Sequence, residues 1–216
     1  MTRIQIRQKA RRKLDETSAK FWTDEDLNDF INQGYRYYWQ WMIQAGQYIT
    51  LKESNLNIVA STSTIALPSD FIKVKMLERV IDGLQIPLDY YDRTESENYT
   101  TGVSTANFLY SYRLLGANLV LEPTPQESAT SGLKLTYFYM MDEMDDDSDI
   151  PLIPLLYHDL LVSYTVIQAK EKEEGLAGGG ADMSPFVMTM QQQEQLFKES
   201  IELDSLQSQF VRPMCF

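Results

Sequence analysis

The chain has 216 residues, 44% of them apolar and 12% aromatic, enough to fill the core of one large or two small domains. Its 31 acidic residues outnumber 19 basic ones, and the formal net charge of -12 does not favour binding of nucleic acid phosphates over the whole surface. The single cysteine, Cys215, excludes an internal disulfide and fits a reducing compartment. No apolar window is long enough to predict a membrane span, and the polar start lacks a secretory signal.

A first helix is predicted over residues 3–20, ending at a Phe21-Trp22 corner that leads into a second helix and makes a helical hairpin. Its apolar side consists of Ile4, Ala10, Leu14 and Thr17. Its basic cluster consists of Arg3, Arg7, Lys9, Arg11, Arg12, Lys13 and Lys20. We favour a solvated helix face for this cluster, and docking onto an acidic partner or nucleic acid is the alternative.

The second helix is predicted to start at Asp24, because Thr23 can cap it with Asp26 at the third helical position. Trp22 and Leu27 flank this start and can pack across it as a hydrophobic staple. Apolar residues then recur at helical spacing and give one broad stripe that needs a packing partner. The stripe consists of Leu27, Phe30, Ile31, Gly34, Tyr38, Trp41, Met42 and Ala45.

An aromatic cluster covers nearly all faces of the second helix. It consists of Tyr35, Tyr37, Tyr38, Trp39 and Trp41. A helix that is aromatic all round is buried on several sides, so we favour the protein core or a subunit interface over stacking of bases or sugars. The excess of bulky apolar groups predicts packing between copies of the chain.

Residues 48–142 predict an inserted β domain. Apolar and polar residues alternate there in short segments, separated by turn signals at Asp82-Gly83, at Gly116 and at Pro123-Thr124-Pro125. The pattern is typical of a small antiparallel sandwich or barrel with about seven or eight strands. The candidate strands are 48–51, 56–59, 64–67, 74–81, 85–88, 108–112, 118–121 and 133–139.

Helices are predicted again after an acidic linker at residues 143–150. Pro154 can occupy the first turn of a third helix, which Gly175 interrupts. Its inner face is expected to hold Leu156, Leu160, Tyr164 and Ile167, with Ala169 near its end. A glycine-rich loop over 175–186 follows and reads as a flexible joint, because the sequence around Gly178–Gly180 does not resemble a phosphate loop.

A fourth helix is predicted from about residue 187 to 210, capped by Ser184 before Pro185. Helical spacing groups Phe197 with Ile201, and Leu196 with Leu203 and Phe210. Residues 211–216 form a C-terminal arm, because Pro213 cannot continue the helix. The order of elements predicts an α+β fold in which residues 1–47 and 151–210 form a helical bundle that carries the β domain.

No catalytic, cofactor or metal site is predicted. His158 is the one histidine and lies in a helical pattern, so we expect a structural or interface role for it. One histidine and one cysteine cannot supply the usual ligands of a zinc site. A pair of acidic residues of the glycosidase type stays open, because spacing along the chain says little about spacing in the fold.

The acidic run from Asp142 to Asp149 has alternate aspartates, as in the first half of an EF-hand loop. Ile150 stands where that loop requires glycine, and Leu156 stands where it requires a bidentate glutamate. We therefore favour an exposed, flexible linker with solvated, unpaired carboxylates over an ion site.

Three segments in this order resemble the head-to-tail adaptor (connector) proteins of tailed bacteriophages, especially short-tailed ones. They are the capped helix Trp22–Tyr35, the Leu-Pro-Ser-Asp-Phe turn within Ile65–Val74, and Pro151–Leu161. The resemblance implies a non-enzymatic virion protein, assembled in the host cytoplasm as a twelve-subunit ring between the capsid portal and the tail or nozzle protein. Such a ring extends the channel, through which DNA passes without sequence-specific binding.

The resemblance also implies that a C-terminal arm reaches a neighbouring subunit or the portal. The residues that we expect at interfaces are Arg3, Arg7, Arg11, Arg12, Tyr35, Tyr38, Trp39, Trp41, Phe210, Val211, Arg212, Pro213, Met214 and Phe216. Three alternatives stay open: another tail component such as a nozzle or tube subunit, a hydrolase with two carboxylates, and a β-sandwich ligand-binding module. The site of such a module would be lined by Tyr90, Tyr91 and Tyr99.

Overall fold

The computed structural model describes residues 1–16, 21–91, 110–177 and 184–210. The chain divides into two compact units, one formed by Met1–Thr50 with Met141–Phe216 and the other by Leu51–Met140. In the described part of the chain, the first unit is helical and the second is built of strands. This segregation confirms the predicted α+β class.

The helical unit contains four helices within the described residues. They are α1 (Arg3–Lys13), α2 (Asp24–Gln44), α3 (His158–Ala177) and α4 (Ser184–Phe210). Short 3-10 turns at Tyr48–Thr50 and Leu155–Tyr157 follow α2 and precede α3. None of the helices, over the residues described, is long and apolar enough to cross a membrane.

Helix α1 is shorter than predicted. It ends at Lys13, Leu14 caps it, and Asp15 has a φ of 58°, a left-handed conformation that cannot continue an α-helix. The predicted continuation over residues 17–20 lies outside the described residues. The inner face is also different, because Ile6 and Ala10 are buried together with two arginines while Ile4 is half-buried.

The predicted start of α2 is confirmed. The Thr23 Oγ1 accepts a hydrogen bond from the Asp26 N–H at 3.0 Å, and Asp26 Oδ2 accepts one from the Thr23 N–H at 3.3 Å. A contact of Lys172 Nζ with Asp26 Oδ1 at 2.6 Å, followed by the Thr23 hydrogen bond, lowers the pKa of Asp26. Trp22 and Leu27 lie in one buried cluster, as the staple requires.

Helix α3 begins at His158 rather than at Pro154, because the Tyr157 N–H donates to the Pro154 carbonyl at 2.8 Å and closes a 3-10 turn first. Leu160 and Ile167 are buried as predicted, but Leu156 is 81% exposed, so its assignment to the inner face is wrong. The helix also continues through Gly175 to Ala177.

Helix α4 begins at Ser184, which makes this residue the first of the helix rather than its cap. The predicted pair Phe197 and Ile201 is buried. The second predicted group faces solvent instead, since Leu196 and Leu203 are both exposed.

The strand unit contains eight strands in the described residues. They are β1 (Leu51–Ile58), β2 (Thr64–Ala66), β3 (Phe71–Ile81), β4 (Leu84–Pro87), β5 (Asp89–Tyr90), β6 (Ser111–Leu115), β7 (Asn118–Glu122) and β8 (Ala129–Tyr139). They form two four-stranded sheets, with the orders β1-β8-β3-β4 and β2-β7-β6-β5. Neighbouring strands are antiparallel, except for the parallel pair β5 and β6.

Two details of the strand prediction are corrected. The predicted strands 48–51 and 56–59 are replaced by a 3-10 turn and by β1, which pairs continuously with β8 from Leu51 to Leu56. The short strand β5 was not predicted. The two-residue hairpin at Asp82-Gly83 is confirmed, because both residues have positive φ, as the tight turn between β3 and β4 requires.

Both sheets contribute to one hydrophobic core in the strand unit. Its buried members are Ile58, Leu77, Leu88, Tyr112, Leu119, Leu121, Leu133, Leu135 and Tyr137. At its margin the Tyr137 hydroxyl donates to Asp70 Oδ1 at 2.9 Å, and burial followed by this bond raises the pKa of Tyr137 to about 12.

The close approach of α2 and α3 at Gly34 gives a test of the helical packing. A Cβ atom at Gly34 would lie 2.8 Å from Tyr164 Cδ1. Gly34→Ala is expected to lower the free energy of unfolding by about 1–2 kcal/mol in urea titrations, because overpacking outweighs the helix propensity of alanine. The exposed Gln40→Ala in the same helix should leave it nearly unchanged, and a more stable Gly34→Ala protein would show that the helices do not meet there.

Candidate functional site

Most arginines of the basic cluster of α1 form ion pairs and hydrogen bonds inside the helical unit. Arg7 Nη1 and Nη2 each lie 2.9 Å from an oxygen of Asp147, and Arg3 Nη2 lies 3.1 Å from Asp147 Oδ1. Arg11 Nη2 donates to Asp24 Oδ1 at 2.6 Å. We call these five residues, Arg3, Arg7, Arg11, Asp24 and Asp147, the arginine clasp.

The clasp corrects the prediction of a solvated basic face. The side chains of Arg7 and Arg11 are 9% and 7% exposed, and a buried guanidinium is tolerated only where carboxylates and hydrogen bonds compensate it. The backbone carbonyl of Trp22 also accepts from Arg11 Nη2, at 2.9 Å. Of the cluster residues that the structure describes, Arg12 remains exposed, and Lys9 forms a surface ion pair with Asp159 at 3.0 Å.

The acidic run is a fixed part of the helical unit rather than a solvated linker. Asn32 holds the backbone of Met144 from both sides, donating to its carbonyl at 3.3 Å and accepting from its N–H at 3.2 Å. The hydrogen bonds from Arg7, and then those from Arg3, lower the pKa of Asp147. The prediction of unpaired carboxylates is therefore wrong for Asp147. Among the described residues, no three His, Cys, Asp or Glu side chains are placed to hold a metal ion.

The aromatic cluster of α2 belongs mainly to the core of the helical unit. Tyr35, Tyr38 and Trp39 are all buried, which confirms the core interpretation for these three residues. Tyr38 donates to Glu194 Oε1 of α4 at 3.1 Å, and burial together with the Glu194 charge raises the pKa of Tyr38. Trp41 is half-buried, and Lys198 Nζ lies 3.9 Å from the centre of its ring.

His158 is buried at the start of α3. Its Nε2 lies 2.8 Å from the Ile153 carbonyl, and its Nδ1 lies 2.6 Å from the backbone nitrogen of Met1. Burial is the main reason that the pKa of His158 is lowered. In the described part of the chain, no nucleophilic side chain hydrogen-bonds to this imidazole, so the arrangement is that of a residue that fixes the chain leading into α3.

A small open cavity of about 270 Å³ lies between α1, α3 and α4. Its wall includes Lys13, Ser163 and Phe186, and none of its lining residues carries a carboxylate. The cavity therefore lacks the paired acids that a glycosidase-type mechanism requires.

Two exposed apolar surfaces lie on the helical unit and were missed as interface candidates. The first, the aliphatic patch, precedes α3 and consists of Ile150, Leu152, Leu155 and Leu156. The second, the α4 stripe, consists of Met188, Leu196 and Leu203 on the outer side of that helix. Apolar periodicity alone assigned Leu156 to a core, and it cannot distinguish a core face from an exposed one.

The other predicted interface and ligand residues have mixed placements. The side chain of Phe210, at the end of α4, and residues 211–216 (Val211, Arg212, Pro213, Met214 and Phe216 among them) lie outside what the structure describes, as does Tyr99. In the strand unit Tyr90 is exposed and packs edge-on against Tyr112 at 5.6 Å. Tyr91 is hydrogen-bonded to Glu122 and to Arg113.

The clasp can be tested through its central carboxylate. Asp147→Asn is expected to lower the free energy of unfolding at pH 7 by about 1–3 kcal/mol, because the guanidinium groups of Arg3 and Arg7 lose the carboxylate to which both are hydrogen-bonded. Asp145→Asn removes the same charge at an exposed neighbour with no described contact, and it should change the urea midpoint little. Equal midpoints for the two variants would mean that the clasp does not stabilise the fold.

The same pair of variants predicts a pH dependence. Because the pKa of Asp147 is lowered in the folded state, its stabilising effect is present above the pKa of about 3.9 for an unfolded aspartate and is lost as the pH falls through the folded value. The difference in stability between the wild type and Asp147→Asn should therefore be constant from pH 7 to 5 and shrink below about pH 4. A difference independent of pH would exclude an ionic contribution.

Comparison with known proteins agrees with the resemblance seen in the sequence. A family model described as SU10 adaptor protein matches residues 1–213, nearly the whole chain. No curated protein matches the chain in sequence. The chain belongs to the SU10 adaptor family, a family of bacteriophage head-tail adaptor proteins that are structural components of the virion.

Proposed function

We propose that this protein forms a ring of twelve subunits that joins the capsid portal to the tail of a short-tailed phage and extends the DNA channel. The observation that carries the proposal is the family match over residues 1–213, which leaves almost no part of the chain unassigned. In this role the four helices act as a bundle, and the strand unit is an inserted sandwich that faces a tail or nozzle protein.

Exposed apolar surfaces support an assembled state. The aliphatic patch and the α4 stripe lie on the helical unit, and groups of exposed large apolar side chains are typical of contact sites between proteins. Predicted interface residues that are buried, namely Arg7, Arg11, Tyr35, Tyr38 and Trp39, act in this proposal by fixing the shape of the subunit. Arg3 is held in the clasp, Trp41 is half-buried, and Arg12 is exposed and available for a contact with a partner.

Charge supports the role as a DNA conduit. The formal net charge of -12 disfavours retention of phosphates on the channel wall. The guanidinium groups that could have bound DNA are compensated by Asp24 and Asp147 in the clasp. DNA then passes through the ring without sequence-specific contacts.

The C-terminal arm is proposed to bind the portal or a neighbouring subunit. Helix α4 runs to Phe210, directly before the apolar residues of the arm, so the arm starts from a helix that is already attached to α2 and α3. Val211, Met214 and Phe216 gain free energy when buried, at roughly 25 cal/mol per Å².

The proposal is tested by mixing the purified protein with portal rings of the same phage. Electron microscopy should show one added ring-shaped layer on the portal, and class averages give its subunit number. A chain truncated before Val211 should attach more weakly in pull-down titrations with portal rings.

The full-length Asp145→Asn variant controls for protein preparation and for the pull-down, and it should attach to portal rings like the wild type. Attachment of the truncated chain at full strength would refute the role of the arm. Absence of any added layer with the full-length chain would refute the adaptor role itself.

A further inference from the structure

Helix α4 is incompletely packed within its own subunit. It has 27 residues and is therefore about 40 Å long, yet only Phe197 and Ile201 are buried among its side chains described over 185–203. A helix in a protein draws most of its stability from packing of an apolar face. A second face of α4 is therefore available for a partner.

That second face is apolar and lies opposite the buried one. At about 100° per residue, Met188, Leu196 and Leu203 fall within an arc of about 80°, pointing away from Phe197 and Ile201. Leu196 and Leu203 are 62% and 59% exposed, so nothing in the described part of the subunit covers them.

The aliphatic patch is held in a fixed conformation. The Arg3 N–H donates to the Asp149 carbonyl at 2.8 Å, and the Leu152 N–H donates to the Tyr35 hydroxyl at 3.0 Å. At the other end of the patch, Tyr157 packs against Phe197 with ring centres 4.8 Å apart. The patch is thus a preformed surface, and a partner that binds it pays little ordering entropy.

We propose that the α4 stripe of one subunit docks onto the aliphatic patch of the next copy of this chain. This inference rests on the proposed ring and identifies the two surfaces that close it. The stripe and the patch belong to different elements, so the contact is heterologous, which is the type of contact that generates a ring when the rotation closes. In a closed ring each subunit then engages both of its apolar surfaces, one with each neighbour.

One pair of opposite charges can meet across the two surfaces. Glu199 lies within the arc of the stripe and is exposed, and its Oε1 accepts a surface hydrogen bond from Gln195 Nε2 at 3.0 Å that leaves Oε2 for a partner. Lys9 is held beside the patch through its 3.0 Å contact with Asp159, three residues after Leu156. Both partners of that ion pair are about half exposed, so the pair contributes little and Lys9 can turn to Glu199 of the neighbour.

Cysteine cross-linking tests the pairing, because the chain has a single cysteine that can be removed as Cys215→Ser. In that background, Leu156→Cys and Leu196→Cys subunits are prepared separately. Each variant is oxidised alone, and the two are also oxidised as a mixture. The experiment uses both the free chain at high concentration and the layer assembled on portal rings. Mixed disulfide-linked dimers are expected in the mixture, with no dimers in either variant alone.

Two other outcomes would contradict the inference. Dimers of Leu196→Cys alone would show that α4 stripes pair with each other, and absence of mixed dimers from both samples would exclude the proposed contact. Gln40→Cys, at an exposed position outside both surfaces, is the matched control and should not cross-link to Leu196→Cys. If the wild type adds no layer to portal rings, the proposed function fails, and cross-linking of the free chain still decides on the contact.

The charge pair gives a second readout. Lys9→Glu and Glu199→Lys should each lower the association constant between subunits by about two- to fivefold in sedimentation, and the double variant should restore it. Circular dichroism identifies any variant that has lost its fold. Additive losses in the double variant would mean that Lys9 and Glu199 do not meet across the interface.

Discussion

The helical unit depends on the neutralisation of buried arginines. Arg7 and Arg11 lie among apolar residues of α1, where an unpaired guanidinium would cost several kcal/mol. Asp147 and Asp24 supply the charge, and Asp147 is 140 residues away in sequence from Arg7. The clasp therefore fastens the chain that returns from the strand unit to the first helix, and it cannot form until both parts of the helical unit are in place.

This constraint also explains why a basic helix can occur in an adaptor with a strongly acidic composition. The guanidinium groups of Arg3, Arg7 and Arg11 are paired with carboxylates, so these basic residues do not make the surface positively charged. The same residues fix the chain that leads to α3, because the clasp holds Asp147 and Asn32 holds Met144, and His158 then fixes the start of the helix through the Ile153 carbonyl. The aliphatic patch lies between these two points and inherits their rigidity.

Features that depend on contacts between neighbouring residues could be predicted from the sequence. The cap at Thr23, the staple of Trp22 and Leu27 and the hairpin at Asp82-Gly83 all arise from contacts within a few residues, and each was predicted correctly. The burial of Arg7 could not be predicted in this way, because its partner is distant and aspartates are abundant in this chain. The exposure of Leu156 was missed because helical spacing says which residues share a face, whereas exposure depends on what the face meets.

The two ends of the strand unit lie side by side. Leu51 opens β1 and pairs with Phe138 near the end of β8, so the two connections to the helical unit leave from neighbouring strands. An insertion with its two ends side by side can be enlarged, shortened or exchanged during evolution with little effect on the host fold. The helical part of such an adaptor can therefore keep its packing while the inserted module diversifies.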